Sequence, residues 1–104
     1  MFERISDVEY RTWSDVRFRV VFDEAVVLKQ DQAEVLVLNE VGARVLDGLK
    51  RGLRPSQIVS ELETEYQASA AELERDVERF VAELLEAKVV APTHAGGSEN
   101  GGGS

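Results

Sequence analysis

The chain has 104 residues, of which 43% are hydrophobic, and it carries 20 acidic against 12 basic side chains, a formal net charge of -8. This length supports one domain with a modest core. The excess of acidic residues disfavours nucleic acid as a partner, because a phosphate backbone would repel the chain.

The first predicted segment, residues 1–15, is an N-terminal arm whose apolar residues follow neither a helical nor a strand period. The spacing of these apolar residues is compatible with either a loose helix or an extended segment. We expect the arm to pack on the domain, with Trp13 as its main anchor.

Residues 16–38 are rich in β-branched and aromatic residues, which fall into three short runs. Such runs, separated by polar turns, predict three strands. In the first run Phe18, Val20 and Phe22 share one face, which we expect to be buried. Turns are predicted at residues 23–24 and 30–32, and connections this short require an antiparallel meander.

The third predicted strand, residues 34–38, contains four consecutive apolar residues, so both of its faces need cover. It is the last strand of its meander and is therefore expected to be an edge, whose free backbone groups invite pairing with another chain. Two interpretations follow. The helices could cover this strand completely, or an extended peptide could pair with it.

Three helices are predicted after the strands. Asn39 suits the N-cap of the first, which should end near Gly52, and Pro55 suits the first position of the second. The sequence from Ser69 to Glu72 is a capping box that starts the third helix. The predicted fold class is α+β, a three-stranded antiparallel sheet followed by three helices.

The sequence offers little for catalysis or metal binding. Cysteine is absent, and the only histidine, His94, lies beside a Gly/Ser-rich stretch. The carboxylates of the third helix fall mostly off its apolar stripe and are interpreted as a solvated face. We therefore expect no enzyme activity, no metal and no cofactor.

Residues 92–104 are predicted to be a flexible tail or linker. The sequence contains no signal-like or membrane-spanning segment, which favours a cytoplasmic protein.

Two segments, residues 35–49 and 55–62, resemble the PqqD family. Their pattern is a strand ending in Leu38-Asn39, then a glycine, an apolar helix, a glycine-containing turn and a helix with Ile58-Val59. An apolar third helix leading to a short lysine-containing end, residues 80–90, completes the pattern. The resemblance covers residues 16–91, which we take as the PqqD-like peptide-binding domain.

The resemblance implies a winged helix-turn-helix-like fold, the RiPP recognition element. Such a domain binds the leader of a ribosomally made precursor peptide as a fourth strand and delivers it to a modifying enzyme, often a radical S-adenosylmethionine enzyme. Transferred to this sequence, the peptide would contact the third strand and one side of the third helix. The implied peptide-binding residues are Glu34, Val35, Leu36, Val37, Leu38, Asp76, Val77, Phe80, Glu83 and Leu84. On the third helix the other flank, with Val81 and Leu85, could face the peptide equally well. The acidic third helix further suggests a leader with basic residues.

Two other functions remain open at this stage. One is a winged-helix DNA-binding regulator, which the acidic third helix disfavours because it would repel a DNA groove. The other is a homodimerising interaction module that uses the same edge strand.

Overall fold

Five strands and three helices make up the computed structural model, which describes residues 6–93. The strands are β1 (Tyr10–Thr12), β2 (Val16–Val21), β3 (Glu24–Lys29), β4 (Glu34–Leu38) and β5 (Val90–Pro92). The helices are α1 (Glu40–Lys50), α2 (Pro55–Glu65) and α3 (Ala70–Glu86). A 3-10 turn, Gln30–Gln32, joins β3 to β4. The order confirms the prediction of a three-stranded sheet followed by three helices.

The main sheet is an antiparallel meander with the order β2-β3-β4. Val21 pairs with Glu24, so the first turn is Phe22-Asp23, one residue earlier than predicted. Phe22 has a positive φ of 58° and is 98% exposed, and Val20 is 49% exposed. The expectation of one buried face is therefore wrong for both residues. Only Phe18 packs against the core, because α1 covers β3 and β4 and leaves the hairpin end of β2 uncovered.

The three helices form a layer on the side of the sheet that carries Ala25 and Val27, both of which are fully buried. As predicted, Asn39 caps α1, and its side chain accepts a hydrogen bond of 2.9 Å from the backbone N–H of Gly42. The predicted capping box of α3 is also present. These caps satisfy amides that would otherwise lack partners at the helix starts.

Two arginines of the α1 region bind glutamates of α2. Arg44 makes a two-pronged ion pair with Glu65, and Arg51 donates to Glu61 at 3.0 Å. The hydrogen bond from each arginine lowers the pKa of its glutamate below the ordinary value of 4.5. Both pairs are solvent-exposed, so each contributes modestly to the packing of α1 against α2.

The predicted arm contains a short strand, which agrees with the extended alternative left open by its sequence. β1 pairs with β5 at the other end of the chain, from Tyr10↔Pro92 to Thr12↔Val90. Tyr10 is buried in the core, whereas Trp13 is 40% exposed, so the expected anchor is wrong. The tyrosine replaces it because its ring fills the core while its hydroxyl donates to the Ser6 carbonyl oxygen at 2.7 Å.

Some predicted features lie outside the described residues. They are residues 1–5 of the arm, His94 and the rest of the predicted tail to residue 104. Pro92, which the prediction assigned to the flexible tail, instead pairs with Tyr10 in β5. Within residues 6–93, none of the helices is long and apolar enough to cross a membrane.

Candidate functional site

β4 is an open edge of the sheet, since β3 is its only partner among the described residues. The pairing with β3 is continuous, from Lys29↔Glu34 to Ala25↔Leu38, with no bulge or proline. In an antiparallel strand, alternate N–H and C=O groups point away from the neighbouring strand. An edge of this kind can accept an extended peptide as a further strand.

The opposite edge of the sheet, β2, is better protected. Arg17 donates from Nη1 to the carbonyl oxygens of Ser14 at 3.0 Å and of Val16 at 3.1 Å. Arg19 adds a second charge to the strand. Charged side chains are a common means by which proteins discourage pairing at an edge. β4, whose only charged residue is Glu34, lacks this protection.

The end of β4 meets α3 through a close approach at Gly42. A Cβ atom built on Gly42 would lie 2.7 Å from Cε1 of Phe80 and 3.1 Å from Cβ of Leu38. The absence of a side chain on α1 at this point lets the Phe80 ring pack beside the last residue of β4. Phe80 is thereby fixed near one end of the open strand.

At the other end of β4, Lys29 connects the strand to the end of α3 through a hydrogen bond and an ion pair. This lysine is 2% exposed, and its Nζ donates to Gln32 Oε1 at 2.9 Å and, through a short contact, to the Ala87 carbonyl oxygen. Glu34 Oε1 lies 3.6 Å from the same Nζ. A buried ammonium group needs such partners, because an unpaired charge is costly to bury.

The two connections define a groove between β4 and α3. The helix and its C-cap rise about 10 Å from Phe80 to Ala87, whereas the five-residue strand β4 spans about 16 Å, so this stretch of the helix is shorter than the strand. Helical spacing puts Asp76, Glu83 and Ala87 within about 60° of Phe80 around the helix axis. We call this side, residues 76, 80, 83 and 87, the Phe80 flank; Phe80 approaches Gly42 and Ala87 accepts a hydrogen bond from Lys29, which places these two residues near opposite ends of β4.

The implied peptide-binding residues occupy different environments. Val35 and Val37 are 58% and 63% exposed, whereas Leu36 and Leu38 are half-buried against the core. On α3, Asp76 and Glu83 are accessible and line a shallow concavity of about 480 Å³ along the helix. Phe80 lies at the groove and is 7% exposed. Val77 and Leu84 are almost fully buried in the core, where they support the flank from beneath.

Sequence reasoning did not identify Gly42 or Lys29 as part of this site. Lys29 alternates with the buried residues Ala25 and Val27 along β3. A lysine at such a core-facing position is the signal that could have predicted a buried ammonium group with hydrogen-bond partners.

The groups on β4 and on the Phe80 flank decide what this site could bind. Within residues 6–93, no group of three or more His, Asp or Glu residues could hold a metal ion. β4 offers open backbone groups and aliphatic side chains, and α3 offers accessible carboxylates at Asp76 and Glu83. These features suit an extended peptide that carries apolar and basic side chains.

Comparison with known proteins gives a consistent result. The model of the family "Coenzyme PQQ synthesis protein D (PqqD)" matches residues 24–90. The structure is similar to that of TbiB1 in complex with the TbiA(beta) leader peptide, with a TM-score of 0.73 and 27% identity over 82% of this chain and 98% of that one. It is also similar to lasso peptide synthetase B1 complexed with the leader peptide, with a TM-score of 0.74 and 25% identity over 81% and 99%. No curated protein matches the chain significantly.

Proposed function

The chain belongs to the PqqD family, and we propose that it binds the leader region of a ribosomally synthesised precursor peptide by strand addition at β4. The observation that carries this proposal is the open edge of β4, which runs beside the Phe80 flank of α3. The two similar solved structures support it, because each contains a leader peptide.

In this proposal the leader is the fourth strand of the sheet. Backbone groups of residues 34–38 pair with it, and its alternate side chains point to opposite faces. One set enters the groove and meets Leu36, Leu38 and Phe80. The other set lies beside Val35 and Val37 on the far face of the sheet. Val77 and Leu84, also implied by the family resemblance, act by holding the flank in place.

The charge of α3 favours a leader with basic residues. The helix contains six carboxylates and two arginines, and Asp76 and Glu83 lie on the Phe80 flank. Lysine or arginine side chains of the leader that enter the groove would be attracted to these carboxylates. The same acidic helix repels a phosphate backbone, so DNA binding is not proposed.

The domain acts without catalysing a reaction, and its second partner is a modifying enzyme that receives the bound peptide. A radical S-adenosylmethionine enzyme is the class that the family resemblance implies. The groove contributes binding and orientation, which raise the effective concentration of the precursor at the enzyme.

Backbone N-methylation of the leader tests the proposal. Fluorescence anisotropy would be measured with leader peptides from short open reading frames beside the gene, each methylated at one backbone nitrogen. Strand addition predicts that methylation at every second residue abolishes binding, because those N–H groups face β4. Uniform tolerance of methylation, or no binding of any leader by the folded monomer, would contradict it. Sedimentation velocity would reveal homodimerisation through the same edge.

A further inference from the structure

The side of the sheet that faces away from the helices is unusually apolar. In antiparallel sheets with one face on the core, the other face is normally polar. Here the outer face combines Arg17, Arg19 and Val21 of β2 with Glu24, Val26 and Leu28 of β3 and Val35 and Val37 of β4. The five aliphatic side chains are each between 37% and 63% exposed.

The aliphatic residues are contiguous because they occupy neighbouring positions in the register. Val26 pairs with Val37, and Leu28 pairs with Val35. Together they form one contiguous exposed apolar patch, a feature that often marks an interaction site. A concavity of about 520 Å³ lies over Arg19, Val26 and Leu28.

The charge at this face is opposite to that of the chain. The net charge is -8, yet Arg17 and Arg19 lie beside the aliphatic patch, with Glu24 as the face's acidic residue at the hairpin end. Two copies stacked through this face would bring their arginines together, which disfavours self-association. The face is complementary to a different protein, one with an aliphatic centre and acidic residues at its rim.

We propose that this outer face, centred on Val26 and Leu28 and bordered by Arg17 and Arg19, docks the modifying enzyme through an apolar surface with an acidic rim. The inference rests on the proposed function for the identity of that partner. It places the enzyme and the groove on different parts of one sheet. A leader added at β4 would extend the outer face by one strand, so its outward side chains would adjoin the docked enzyme.

The test uses the purified modifying enzyme encoded beside the gene, immobilised for biolayer interferometry against the full chain. The double variant Val26→Thr/Leu28→Thr should weaken enzyme binding about tenfold or more, since it removes apolar area at the centre of the interface. Arg19→Glu should slow association, most strongly at low salt. Val20→Thr is the matched control, because Val20 is also exposed but lies on the other face of the sheet.

Leader affinity is measured on the same variants and should stay unchanged, which separates this inference from the proposed function. If the unmodified chain does not bind the leader, the proposed function is refuted. Undiminished enzyme binding by the double variant, or no enzyme binding by the unmodified chain, would overturn the docking face. Self-association that the double variant abolishes would also overturn it and would identify a second copy as the occupant.

Discussion

Replacing Gly42 by alanine would perturb the groove at one defined atom. The new methyl carbon would lie 2.7 Å from Cε1 of Phe80, whereas non-bonded carbons usually sit about 3.6 Å apart. The ring must therefore move by about 0.9 Å, away from α1. Because Phe80 borders the end of β4, this movement changes the width of the groove.

Two terms set the effect of Gly42→Ala on stability. Overpacking of this size costs about 1–3 kcal/mol, while alanine gains about 1 kcal/mol over glycine inside a helix. We expect the free energy of unfolding to fall by about 1 kcal/mol. We also expect leader affinity to fall about fivefold, equivalent to about 1 kcal/mol, because the displaced ring no longer fits the bound peptide.

Gly48→Ala is the matched control on the same helix. Its methyl carbon would lie 2.7 Å from Cγ1 of Ile58, in the contact between α1 and α2. Urea unfolding should show a similar loss of stability for both variants, while leader titration by calorimetry should show weaker binding for Gly42→Ala alone. Equal leader affinities for the two variants would refute the assignment of Phe80 to the binding groove.

Three further variants test other parts of the account. Lys29→Met should lower the free energy of unfolding by about 1–3 kcal/mol, because it leaves the Ala87 carbonyl oxygen and Gln32 Oε1 without their donor. An unchanged urea midpoint would show that these hydrogen bonds do not stabilise the fold. The glutamate partners of Arg44 and Arg51 have lowered pKa values in the folded state, so their stabilisation is complete above pH 4.5 and is lost as the pH falls through those lowered values. Arg44→Gln/Arg51→Gln should therefore flatten the acid side of a plot of unfolding midpoint against pH, whereas a profile parallel to the parent's would refute this origin. Glu83→Gln should weaken a basic leader at low salt and much less at high salt, with Glu63→Gln on α2 as the control, and equal effects of the two would exclude a specific role for the α3 carboxylate.

The elements with local signals were predictable from the sequence. Asn39, Pro55 and Ser69 mark helix starts through hydrogen bonds and backbone geometry that involve only the next few residues. The edge position of β4 also followed from local information, because short turns force a meander whose last strand has one neighbour.

Features that depend on distant contacts were not predictable. β1 forms only because β5, some 80 residues later in the chain, supplies its partner. The alternation of Phe18 and Val20 predicted a buried face, yet burial depends on how far the helical layer extends over the sheet. The Phe80 flank likewise depends on Gly42 and Lys29, each of which contacts a residue far along the chain.

The most direct test of strand addition is an amide NMR titration of the chain with leader peptides from short open reading frames beside its gene. The account predicts shifts concentrated on Glu34–Leu38 and on the Phe80 flank of α3, together with slower hydrogen exchange of the β4 amides that face the peptide. Shifts confined to other surfaces, or unchanged exchange of the β4 amides at saturation, would contradict it.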